Sequence, residues 1–176
     1  MPSQLHIIRK NIQAVILIFI ATIPFNYSIA QDFQRVENLA KIDHIQNNTG
    51  VAVADYDQDG DLDIFLVGIA SFDPSDETTW NRLLRNNDDG TFEDVTLAVG
   101  LDDQFINVSL PARLGEKFGA AWGDANNDGY PDLFLTNSRF DQLYFNERGG
   151  TFFDVTALAG VAGCFDCIST SALWWD

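Results

Sequence analysis

Positive charge, histidine and cysteine are all scarce in this chain. Ten Lys and Arg stand against 26 Asp and Glu among 176 residues. Nucleic acid and anionic lipid recruit proteins through basic patches, so this balance argues against either as a partner and favours cations. His6 and His44 are the only two histidines. With no Ser-His-Asp order and no phosphate-cradling glycine loop, nothing here resembles a poised base or nucleophile, and a non-enzymatic protein is expected. Two cysteines cannot complete a four-ligand zinc site. Cys164 and Cys167, in "CFDC", read as a local disulfide pinning a loop; a free thiol pair, or partners further along, are the alternatives.

Long apolar runs are also missing. The longest, "AVILIFIATIPF" (14–25), has twelve residues, whereas a spanning helix needs about 20. Arg9 and Lys10 precede it, and "SIA" (28–30) offers small residues before Gln31. Residues 1–30 therefore read as a signal peptide, with an uncleaved anchor as the alternative, and residues 31–176 as the exported part. No stable membrane insertion is expected, and the destination is the cell surface or beyond. Without the leader, eight basic and 26 acidic residues remain, a net charge of −18. A hydrophobic content of 46%, with 14 Phe and 4 Trp, still separates the chain from disordered acidic tails and predicts a buried core.

What the chain has in abundance is repetition. "NDDGTFEDVTLAVGL" (87–101) aligns with "ERGGTFFDVTALAGV" (147–161), and a Phe-x-x-Val unit recurs at Phe33, Phe92 and Phe152, in steps of 59 and 60 residues. "GVAVADYDQDGDLDIFLVG" (50–68) aligns with "GAAWGDANNDGYPDLFLTN" (119–137), and "SALWWD" (171–176) begins a third copy. Each unit reads as four short strands: residues 51–54, 64–67, "RLLRN" and "TFEDVT", then "AAWG", "LFLTN", "QLYFN" and "TFFDVT". "NDDG" and "ERGG" serve as hairpin turns. No helical period stands out after the leader. The expected fold class is all-β, a partial β-propeller of four-stranded antiparallel blades truncated at the start of a third repeat; an ordinary sandwich is the competing architecture.

Acids crowd into two loops, "DYDQDGDLD" (55–63) and "DANNDGYPD" (124–132). Alternate positions place Asp55, Asp57, Asp59 and Asp63 in the first, and Asp124, Asn126, Asp128 and Asp132 in the second. Gly60 and Gly129 allow a sharp turn, and the seventh position, Asp61 or Tyr130, is expected to offer a backbone carbonyl. Oxygen-only donors in a flexible loop suit calcium better than magnesium, which keeps more of its water. An EF-hand needs a Glu at position 12 and flanking helices; Leu66 and Leu135 stand there instead, so the ninth acid is expected to close the site. Two calcium sites follow, with a third begun at Asp176. Four carboxylates against three predict tighter binding at the first, at roughly 10⁻⁴ to 10⁻³ M as in extracellular modules.

These motifs carry a resemblance. "KFGAAWGDANNDGYPDLFLTN" (117–137), with "FGA" at residues 118–120 before the loop, resembles an FG-GAP repeat of the kind found in integrin α-subunit propellers. The closing "GTFEDVT" strand is similar to the VCBS/FG-GAP arrays of secreted proteins, including those with an ASPIC/UnbV module. The resemblance covers nearly all of residues 33–176, although "TGVAVAD" (49–55) departs from the "FG" pattern. It implies calcium sites that stiffen each blade, and a secreted adhesion or binding module for an extracellular protein or glycan. The alternative is the scaffold of a polysaccharide lyase-like enzyme whose catalytic residues lie elsewhere.

The copies differ in length at residues 68–80 and 101–117. In a meander both insertions, with "CFDC", fall on the face opposite the acidic loops. Long loops gathered on one side of a scaffold commonly bind, which nominates Phe72, Trp80, Phe105 and Arg113 as contacts; tolerated surface insertions are the plainer account. "NNT" (47–49) and "NVS" (107–109) would accept glycans in a glycosylating host.

Overall fold

The computed structural model describes residues 48–69, 76–101, 116–164 and 166–175, all within one compact unit, Glu37–Asp176. Residues 1–30, expected above to be a signal peptide, and Asp176, Phe72, Phe105 and Arg113 lie outside the described residues. Eight strands follow in order: β1 (Gly50–Ala54), β2 (Asp63–Val67), β3 (Arg82–Asn86), β4 (Phe92–Asp94), β5 (Lys117–Gly123), β6 (Asp132–Asn137), β7 (Gln142–Glu147) and β8 (Thr151–Asp154). They form two four-stranded antiparallel sheets, each a simple meander, β1-β2-β3-β4 and β5-β6-β7-β8. The all-β expectation and the four-strand unit hold.

Composition explains the layers. In β2, Asp63, Phe65 and Val67 are buried while Ile64 and Leu66 are half-buried; a strand covered on both faces reads as a continuous apolar run. Glycine and alanine recur along β1 (Gly50, Ala52, Ala54) and β5 (Gly119, Ala120, Ala121, Gly123), and at Gly50 the two backbones come close. A Cβ on Gly50 would lie 2.9 Å from the Phe118 carbonyl oxygen, closer than packed atoms allow. The pairing of β5 with β6 shifts register between Lys117 and Gly119, which leaves Phe118 as a bulge. Phe65, Val67, Leu83, Leu133, Leu135 and Phe152 join Tyr56 and the Val95–Leu101 turn in one shared core. Trp122 on β5 meets Phe65 edge-on at 6.1 Å and Phe152 at 6.0 Å between ring centroids.

The recurring "DVT" has a local cause. Asp94 Oδ1 accepts from the backbone N–H of Thr96, whose hydroxyl oxygen accepts the Leu83 N–H at 2.8 Å. Asp154, Thr156 and Leu143 repeat this, at 3.0 and 2.9 Å. The fourth strand is thereby pinned to the third where their ladder ends. The chain then coils through a single helical turn, Thr156–Ala159, which stops on left-handed Gly160. Four residues are too few to show a helical period in sequence, and none was expected there. "ERGG" closes β7 to β8 with Arg148 and Gly149 both at positive φ, 53° and 74°, and a Gly150 N–H to Glu147 carbonyl bond of 3.1 Å. This is the primed turn that matches strand twist.

Cys164 and Cys167 form a disulfide. Trp80, nominated above as a surface contact, is buried at 4% exposure, with the Arg82 guanidinium 5.3 Å above its ring centroid. Arg82 also donates to the Glu77 carbonyl at 2.7 Å and pairs with Asp94 at 3.4 Å. Trp80 packs as part of the fold. Among the described residues of the third copy, 171–175 form no strand, yet Trp174 donates its indole N–H to the Ala121 carbonyl at 3.3 Å. Among the described residues, no helix is long and apolar enough to cross a membrane.

Candidate metal centre

The first acidic loop joins β1 to β2 and the second joins β5 to β6, both at hairpin positions. Their backbones match: Gln58 and Asn127 sit at φ 60° and 59°, Gly60 and Gly129 at 101° and 95°. The glycines explain the sixth position. The left-handed fourth position was not anticipated; Asn127 suits it, and Gln58 adopts it at some cost.

The ninth acid is the most buried member of each loop. Asp63 is 1% exposed and Asp132 fully buried. Asp63 Oδ2 accepts the Tyr56 N–H at 3.1 Å and Oδ1 the Asn86 N–H at 2.9 Å. Asp132 repeats the pattern with Ala125 and Asn146, both at 2.8 Å. Each of these carboxylates therefore staples its loop to the third strand of its own sheet, a structural duty that spacing alone does not reveal. Burial pushes the Asp63 carboxyl up to about 6, opposed by the two backbone donors and assisted by Asp57 and Asp59. Burial likewise raises Asp132 against its own donors. The Tyr56 hydroxyl is pushed up to about 12, first by burial and then by Asp57.

Asp55, Asp57 and Asp63 bring one carboxylate oxygen each to within 4.8 Å of one another. Oxygens bound to one calcium ion at about 2.4 Å can be at most about that far apart. Asp55 Oδ1 and Asp57 Oδ1 are buried and have no hydrogen-bond partner. Buried polar atoms almost always find partners, so two orphans side by side need an explanation. The Asp57 carboxyl is raised by burial and then by Asp59, against a backbone donor at Asp59 and the charge of Arg85, as expected where acids converge. This cluster could hold a metal ion, and oxygen-only donors fit a hard one. Asp59 is exposed and turns back to accept the Asp61 N–H at 2.9 Å; neither Asp59 nor Asp61 belongs to the cluster.

The second loop differs. Among the described residues it gathers no comparable group of three acids, and Asp124, Asn126 and Asp128 are exposed. Asp124 accepts from Gly129 at 2.9 Å and Asp128 at 3.0 Å, while Asn126 donates to Asp128 at 3.0 Å. Asp128 also accepts the Tyr130 N–H at 2.9 Å. Identical spacing thus yields a loop with its polar groups paired internally.

The chain matches no family model and no curated protein.

Proposed function

We propose that the chain is an exported, calcium-binding β-propeller module of the FG-GAP/VCBS kind, non-enzymatic, serving protein or glycan binding outside the cell. The convergence of Asp55, Asp57 and Asp63, with two orphaned buried oxygens, carries the proposal. Two similar meanders, each bearing such a loop at the same corner, support blades of one propeller, with β1 and β5 side by side as inner strands. Bound calcium cancels the carboxylate repulsion and stiffens the corner where β1 meets β2. Asp124, Asn126, Asp128 and Asp132, with the Tyr130 carbonyl, form a second and weaker site in this reading, and Asp176 opens a third. The disulfide and the acidic balance agree with an oxidising, calcium-rich destination.

Calorimetric titration of the full chain with calcium tests the proposal. Uptake in the 10⁻⁴ to 10⁻³ M range expected for extracellular modules, lost on Asp57→Asn, supports it. Absence of heat and of thermal stabilisation up to about 10 mM calcium overturns it.

A further inference from the structure

The first acidic loop is held by the second repeat. Asn146 on β7 is 1% exposed. Its Nδ2 donates to the Tyr56 carbonyl at 2.8 Å and to the Pro131 carbonyl at 3.1 Å. Its Oδ1 accepts the Gly149 N–H at 2.8 Å, and its own N–H donates to Asp132. Tyr56 stands between Asp55 and Asp57, the two residues with orphaned oxygens. Gly149 lies flush against the same loop: a Cβ there would be 2.5 Å from the Asp57 Cα. Gln58 reaches across to donate to the Gly129 carbonyl.

The burial follows these contacts. Asp55 and Asp57 are half-buried, whereas their counterparts Asp124 and Asn126 are exposed. Asp57 sits beneath the β7–β8 turn, and Tyr56 is tied to β7 from beside it. Left alone, converging carboxylates repel and a glycine-containing loop can relax that repulsion by opening. A buried amide fixed at both ends opposes the opening.

From this we infer that the second repeat completes the cation site of the first, with Asn146 as a positioning residue. It fixes the Tyr56 peptide, and through it the approach of Asp55 and Asp57, without itself being a ligand. The inference rests on the cation reading of this loop.

The test reads calcium binding in an Asp128→Ala background, so that the first loop alone reports. Asn146→Ala weakens calcium binding about tenfold, the effect of losing its hydrogen bond to the Tyr56 carbonyl, the one of its three side-chain bonds that holds the first loop. It also shrinks the rise in Tm that calcium produces, and adds nothing further once Asp57→Asn is present. A purely structural Asn146 lowers Tm equally with and without calcium and leaves affinity within about twofold; that result overturns the inference. Should Asn146→Ala fail to fold, Gln58→Ala decides. Gln58 is exposed, and its loss weakens binding about threefold if the second repeat positions the loop. Unchanged affinity in Gln58→Ala then overturns the inference. A parent chain that takes up no calcium refutes the cation reading before any positioning variant is made.

Discussion

Replacing Asp132 by Asn separates the structural work of the ninth acid from any ligand role. The side chain is fully buried, and each of its oxygens accepts a backbone N–H at 2.8 Å, from Ala125 and Asn146. Asparagine keeps one acceptor and turns an amide N–H₂ toward the other donor. A buried donor left unpaired costs about 1–3 kcal/mol. Removing a carboxylate whose pKa burial has already raised gives part of that back. A net loss of about 2 kcal/mol remains, which for a chain of this size lowers Tm by about 4–8 °C. Thermal melts at pH 7 with excess chelator measure this without metal. Asp124→Asn is the control. Asp124 also accepts two backbone N–H groups, but it is exposed, so water replaces what is lost and Tm changes by about 2 °C at most. If Asp132→Asn behaves like Asp124→Asn, the staple described above is wrong.

Three further outcomes are expected. A Cβ on Gly68 would stand 2.0 Å from the Thr79 carbonyl oxygen and 2.6 Å from the Trp80 backbone, so Gly68→Ala costs about 3 kcal/mol or more, read as a lower urea midpoint; an unchanged midpoint refutes the close approach. Asp63, pushed up to about 6 from the ordinary carboxyl value of 3.8, holds its proton more tightly folded than unfolded. In the metal-free chain its contribution to stability is therefore greatest at low pH and is lost as pH rises through about 6. Proton and calcium compete, so the calcium-induced rise in Tm is larger at pH 7 than at pH 5; equal increments refute this. Gly123→Ala would place a methyl 2.4 Å from the Trp174 ring, displacing the indole and red-shifting tryptophan emission; an unshifted spectrum shows that Trp174 does not pack there.

Local signals were legible in the sequence and long-range ones were not. "RLLRN" coincides with β3, because the "NDDG" hairpin signal directly after it marks where the strand ends. The spacing of Asp55, Asp57 and Asp63 identified the acids that converge. The same rule named Asp59, which turns outward, and could not foresee that the equally spaced second loop would pair its own polar groups. Spacing fixes which side chains share a face, whereas burial by a neighbour decides which of them are left without partners. Asn146 escaped for the same reason. Its partner Tyr56 is 90 residues away, and nothing in "QLYFN" distinguishes a strand asparagine from a tether. The helical turn at Thr156–Ala159 is not legible because four residues are too few to carry a period.

The glycine beneath Trp174 bears on how such a chain can change over generations. At the place where Gly123 makes room for an indole, the first copy carries Ala54, and the tryptophan that follows it, Trp122, leans instead on Phe65 and Phe152. The units are therefore alike in outline but cut to fit one particular successor. Unequal crossing-over that excised residues 55–123 would restore the reading frame and the loop spacing, yet set Trp174 against a methyl group. Loss or duplication of a whole unit, the easiest accident for repetitive DNA, would be penalised in proportion to such mismatched seams.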